Sequence, residues 1–290
     1  MRRVLVHAAA LLLTTAAVPF VGSSAGAAAP ARSTTTARSA TAAGVTPCSL
    51  APLPSSPALT ALHARLASAA TRRVRLLALG SSTTYGMDLA DPTQKWPDRL
   101  MQGLAARGID ADPVSVGPLD PAVLSRAPGA LMVDGARPGT LAETYLAEDI
   151  PGLLVSRASG NAPDIVFHMI GANDYYVQNP PAVYGVALRA ATAALDAQLH
   201  HPIHVYVSDY TDPATKDPHF PWSAYRAQMR QVAAEDPDHR LFIDLTPWFD
   251  KVDVPGSDPR GYLDSGGVHP SAAGHAVIAK LILRALGYGC

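Results

Sequence analysis

An alternation along the chain constrains its fold more than any other feature. Four short apolar runs, Val74–Leu79, Ile165–Ile170, Ile203–Val207 and Leu241–Leu245, are separated by longer stretches of helical spacing: Trp96–Arg107, Pro181–Leu199, Trp222–Ala234 and Ser271–Leu286. Short runs of this apolar content suit strands covered on both faces, which is how parallel sheets are buried. Pro97, Pro181 and Pro221 fall near the first turns of the helical stretches, where a backbone N–H is not needed. Strand followed by helix, repeated, predicts parallel strands joined by right-handed crossovers, an α/β chain with a three-layer α/β/α sandwich around a central, mostly parallel sheet. Ala130–Val133 is a further strand candidate, and the proline- and aspartate-rich segment 109–129 has no assignment from its pattern.

The ends of the chain read differently from its middle. Arg2 and Arg3 precede the largely apolar stretch Val4–Val21 and the small residues Ala25-Gly26-Ala27, the pattern of an export signal over residues 1–29. His7, two threonines and Pro19 make that stretch poor as a membrane span, so stable membrane insertion is not expected. Residues 30–47 are rich in Ala, Ser and Thr and lack the apolar side chains that would offset the entropy of ordering, which predicts a flexible linker. The folded domain is then 48–290. Cys48 and Cys290 sit at its two ends, and in an exported chain they form either one disulfide pinning the termini or two unpaired thiols. Lys plus Arg number 23 against 24 acidic residues, so charge offers no reason to expect nucleic acid as a partner. The chain is expected to be secreted and monomeric.

In such a sheet, ligands bind beyond the carboxyl ends of the strands, and the first strand ends in Gly80-Ser81-Ser82-Thr83-Thr84-Tyr85-Gly86. A phosphate loop would need lysine after its second glycine, where Met87 stands, and a dinucleotide loop would need glycine where Ser82 stands. A nucleophilic serine remains, and it requires a base and an oxyanion hole elsewhere.

Those partners occur in an order that resembles the SGNH hydrolases, the GDSL-type esterase and lipase family. Gly80-Ser81-Ser82-Thr83-Thr84 is similar to its first block, Gly-Asp-Ser-Leu-Thr; Gly171-Ala172-Asn173-Asp174 matches Gly-x-Asn-Asp in full; and His269-Pro270 matches the end of Asp-x-x-His-Pro. The second block is a single glycine, with Gly139 the first choice and Gly135 the second. The resemblance spans about 73–286 and implies a flavodoxin-like hydrolase fold and a serine esterase that uses no metal or other cofactor. It implies Ser82 as nucleophile, His269 as base, and an oxyanion hole made by the N–H groups of Ser82 and Gly139 with the Asn173 amide. Two positions depart from the pattern: Ser81 stands where the family has aspartate, and Gly266 stands three residues before His269, where the orienting aspartate belongs. Asp264, five before, is the expected replacement, with a Ser-His dyad as the other option.

Each assignment has a plain structural competitor. Ser82 could cap a helix, Asn173 could bond its own backbone in a turn, and His269 could be a loop residue. Trp96, Tyr175 and Tyr176 are expected in the substrate groove, with packing at the sheet rim as their alternative role. The group His200, His201 and His204 is expected to form a polar surface turn rather than a metal site. No long apolar lid is evident, so short acyl or acetyl esters on a small molecule or glycan are the expected substrates, and a catalytically silent glycan-binding module is the competing class.

Overall fold

The computed structural model describes residues 50–117, 128–145, 162–199, 201–208, 219–246 and 261–289. The expected signal peptide, the linker, both cysteines of the expected disulfide and His200 lie outside these residues. Five strands form one parallel sheet: β1 (Arg73–Gly80), β2 (Gly129–Asp134), β3 (Ile165–Met169), β4 (Ile203–Ser208) and β5 (Arg240–Asp244), in the order β2-β1-β3-β4-β5. All five lie where apolar runs predicted them, with boundaries moved by a residue or so.

Alternation along each strand divides the core. Leu76 and Ala78 of β1, Phe167 of β3 and Val205 of β4 face one layer, made by α1 (Pro57–Ala67), α3 (Trp96–Ala105) and α7 (Ala272–Ala285). Leu77 and Leu79, Val166 and Tyr206 face the other, made by α5 (Pro181–Leu199) and α6 (Trp222–Ala234). Two short helices, α2 (Ser82–Tyr85) and α4 (Ala172–Tyr176), follow β1 and β3 directly. Helix α1 was not anticipated, although its start carries both standard signals: the Ser56 hydroxyl accepts from Leu59 N–H at 3.2 Å, and Pro57 occupies the first turn. The unassigned segment partly resolves as well. Ala111 and Val116 make parallel bridges to Ala130 and Val133, so this stretch runs beside β2.

The strand order places a topological switch between β1 and β3, because the chain leaves β1 for one neighbour and reaches β3 on the other side. Crevices of parallel sheets open at that point. Ser82 follows β1 and Asn173 follows β3, so the topology alone brings the two blocks together.

Histidines also enter the core, and this corrects the expected surface turn. His201 sits in the turn with φ +55°, whereas His204 is fully buried in β4. His204 Nε2 lies 3.0 Å from Asp196, whose carboxylate also accepts from Arg240 at 3.2 Å. An anionic Asp196 makes Nε2 the protonated nitrogen, so His204 Nδ1 accepts from His168 Nε2 at 2.8 Å, and His168 Nδ1 in turn accepts from the Tyr145 hydroxyl at 3.2 Å. The proton order of the whole row follows from one surface-proximal ion pair.

A third buried histidine, His275 of α7, accepts the Trp96 N–H at Nδ1 (3.1 Å), and its Nε2 is buried without a partner among the described residues. Burial, then the nearby His269 and Lys95, push its pKa down to about 3, and burial likewise lowers His168 and His204. As pH falls below the ordinary histidine value, the unfolded chain takes up protons that the folded chain refuses, so stability decreases. Buried Asp98 and Asp174, whose pKa values are raised by desolvation, act in the opposite sense nearer the carboxylate range. The informative interval is therefore pH 6.5 to 5.5. His275→Asn, which keeps an acceptor for Trp96, is expected to lose about 1 kcal/mol less than the wild type across that interval in urea unfolding. Equal losses in the two proteins would show that His275 does not couple folding to protonation.

Candidate active site

Gly80 ends β1 because nothing larger fits: a Cβ there would strike the Thr84 side chain and come within 2.6 Å of the Met169 carbonyl. Thr84 is held in turn by the Trp96 indole N–H at 3.3 Å. The chain turns at once into α2 with Ser82 at its first position, where helical N–H groups have no intrahelical acceptor. The Ser81 hydroxyl is buried with no hydrogen-bond partner among the described residues, so it adds no orienting bond to the turn. Gly86, at φ +80°, stops the helix.

The block after β3 is built from a buried carboxylate. Asp174 is fully buried and accepts from Ala142 N–H and from the Asn179 amide, each at 3.0 Å. Burial raises its pKa, and those two donors partly offset the shift. Its neighbour Asn173 donates one amide hydrogen to the Thr140 carbonyl at 3.0 Å, which ties this block to the loop after β2. In that loop the N–H of Gly135 is spent on Ala78 O at 2.9 Å, extending the sheet ladder. Gly139, at φ +82°, carries no backbone hydrogen bond from its N–H among the described residues. Gly139 is not itself in the wall of the cleft described next.

Ser82, Thr83, Ala172, Asn173, Tyr176, Val268 and His269 line one open cleft of about 160 Å³. Three loops separated by long stretches of chain thus meet at the switch point. Trp96 and Tyr175 do not reach it, contrary to expectation. Trp96 is fully buried against Phe167, and Tyr175, 3% exposed, packs edge-on against Trp222 and Tyr225. Tyr176 is 62% exposed and stands in the cleft wall. Adjacent residues of a helix point about 100° apart, which separates the two tyrosines.

The position expected for Asp264 also needs correcting. Its Oδ1 accepts from the backbone N–H groups of Val268 (3.1 Å) and His269 (3.3 Å), and its own N–H donates to His269 O at 2.8 Å. The Ser265-Gly266-Gly267 insert therefore folds the carboxylate under the loop's backbone. His269 Nδ1 instead meets Asp88 Oδ2 at 2.7 Å. Asp88 lies two residues beyond the Gly86 helix stop and is itself left-handed, with φ +65°. Sequence reasoning missed it because no family spacing points there. The only local signal is an acid after a glycine stop, and Asp is among the residues that tolerate this backbone. One group among the described residues has the composition of a cation site: ligand atoms of Asp88, Asp264 and His269 lie within 4.8 Å of one another. The hydrogen bonds above already account for that convergence.

A model of the GDSL-like lipase/acylhydrolase family matches residues 78–277. No curated protein matches the sequence. Among solved structures, TesA superposes with a TM-score of 0.53 at 19% identity, covering 74% of this chain and 98% of that one. A two-domain esterase, CEX, active on acetylated mannans and co-crystallised with mannopentaose, gives 0.56 at 15% identity, covering 79% of this chain and 52% of its own. A catalytic mutant of Axe2, an acetylxylan esterase from Geobacillus stearothermophilus, gives 0.51 at 20% identity, covering 74% and 94%. At these identities the likeness is one of fold, the three-layer sandwich expected from the strand and helix pattern.

Proposed function

Because this chain belongs to the GDSL-like lipase/acylhydrolase family, a family of carboxylic ester hydrolases, we propose that it is an exported serine esterase releasing short acyl groups, acetyl above all, from small or carbohydrate carriers. One observation carries the reading: Ser82, Asn173 and His269 line a single cleft at the sheet's switch point. The N-terminal sequence pattern supports export.

In this mechanism Ser82 Oγ attacks the ester carbonyl as its proton passes to His269 Nε2, which is the free nitrogen because Nδ1 faces Asp88. The Ser82 N–H and the second Asn173 amide hydrogen, both in the cleft wall, stabilise the oxyanion. Collapse of the tetrahedral intermediate breaks the bond to the alcohol, which leaves with the proton from Nε2. Water then attacks the acyl-enzyme with His269 again as base, releasing the acid and restoring Ser82.

Size argues for short acyl groups. Sites for drug-sized ligands enclose about 300–1,000 Å³, and this cleft has about 160 Å³. Acetylated glycans are substrates of CEX and Axe2 by their descriptions, and the exposed Tyr176 ring offers a sugar a stacking face. The purified protein is expected to react covalently with a fluorophosphonate probe. It is expected to hydrolyse p-nitrophenyl acetate with kcat/KM about tenfold or more above the octanoate ester. A maximum at long chains would overturn the short-acyl assignment, and no labelling would favour the silent binding module.

A further inference from the structure

The carboxylate that meets His269 Nδ1 comes from another block of the chain. In the family resemblance it belongs three residues before the histidine, where this chain has Gly266, and the nearest acid, Asp264, is bonded to the backbone of its own loop. We propose that Asp88, on the loop that carries Ser82, is the positioning residue for His269. The inference rests on the serine-esterase reading above.

Several independent features support it. The contact is short, 2.7 Å between Asp88 Oδ2 and His269 Nδ1, within the range of charge-assisted hydrogen bonds. It is reached through an unfavourable backbone: Asp88 has φ +65°, a left-handed conformation in which side chains other than those of Asn and Asp are rare. Exposed ion pairs in water contribute little to stability, and Asp88 is 53% exposed, so stability alone does not explain such a geometry. The bond also has a chemical consequence. An ionised Asp88 accepts the Nδ1 hydrogen, which fixes the tautomer with Nε2 unprotonated and facing away from the carboxylate, as a base must be. When Nε2 takes the serine proton, the same carboxylate stabilises the imidazolium.

The geometry gives the nucleophile and the orienting acid a common origin. Ser82 and Asp88 are held by one stop: the Gly86 and Met87 N–H groups both bond the Ser82 carbonyl, at 3.1 and 3.0 Å. His269, from near the far end of the chain, bonds Asp88 and shares the cleft wall with Ser82. Asp264 keeps a different task, shaping the loop on which His269 stands.

The test compares Asp88→Asn, Asp88→Gly and Asp264→Asn in the full chain, with steady-state kinetics on p-nitrophenyl acetate, fluorophosphonate labelling rates and thermal midpoints. Asn tolerates the left-handed backbone but has no charge, and Gly relieves the strain outright. Both Asp88 variants are therefore expected to fold at least as stably as the wild type. Each is expected to lose about 10- to 100-fold in kcat, less than for a buried triad acid because water screens the pair, with KM unchanged and labelling slowed in proportion. Asp264→Asn retains its acceptor for the loop amides and is expected to keep kcat within about twofold. Wild-type kcat in both Asp88 variants would overturn the proposal, and so would a loss in Asp264→Asn that exceeds theirs. Failure of the underlying reading would look different: a Ser82→Ala protein that still turns over removes the serine mechanism whatever Asp88 does.

Discussion

Ser82→Ala and His269→Ala are each expected to lower kcat for p-nitrophenyl acetate by about 10⁵- to 10⁶-fold, and the double variant is expected to be no worse than either alone. The equality is the sharper part of the prediction. A nucleophile and its base perform one step together, so removing the second after the first removes nothing more. Both residues line the same cleft on loops anchored elsewhere, Ser82 by the β1–α2 turn and His269 by the Leu263–Pro270 bridge and the amides on Asp264. Thermal midpoints should therefore stay close to that of the wild type. Labelling by a fluorophosphonate should vanish in the Ser82 variant and become very slow in the His269 variant. Losses that simply add across the double variant would show that the two groups act in separate steps.

Asn173→Ala is expected to cost about 10²- to 10³-fold in kcat with little change in KM, because an oxyanion donor matters only once charge has formed on the carbonyl oxygen. The arrangement of the side chain explains the expectation. One amide hydrogen is committed to Thr140 O at 3.0 Å, which holds the group rigid, and the other is available to the cleft. The backbone beneath it is set by Asp174, whose buried carboxylate binds the Ala142 N–H and Asn179. Truncating Asn173 leaves that anchor in place. A kcat within about threefold of the wild type would remove Asn173 from the oxyanion hole and leave the backbone donors to supply it.

Much of this was legible in the chain itself, and for definite reasons. Strand runs such as Ile165–Met169 and Ile203–Ser208 are buried throughout and mostly apolar because both sheet faces are covered, so they stand out against amphipathic helices. The blocks carrying Ser82, Asn173 and His269 are legible because each is local: a glycine, a turn and a functional side chain within a few residues. Their assembly follows from right-handed crossovers and the switch point, which are general consequences of chain chirality. Helix α1, by contrast, went unread despite Ser56 and Pro57, since alanine-rich sequence after an alanine-rich linker has little contrast.

What the amino-acid order could not decide was how side chains with two plausible environments divide between them. Trp96 and Tyr175 are as suited to a groove as to a core, and only packing against Phe167, Trp222 and Tyr225 put them inside. His204 reads as a surface residue until β4 buries it against His168 and Asp196. The partner of His269 is the clearest case, because two carboxylates compete for that role and sequence proximity favours the one five residues away. Tertiary structure decided for Asp88, since the short loop gave Asp264's oxygen to two backbone amides while a left-handed turn far away in the chain aimed another carboxylate at the ring. Local order thus determined the fold and the blocks that carry Ser82, Asn173 and His269, and the balance between nearby backbone donors and a distant imidazole determined which carboxylate meets the ring.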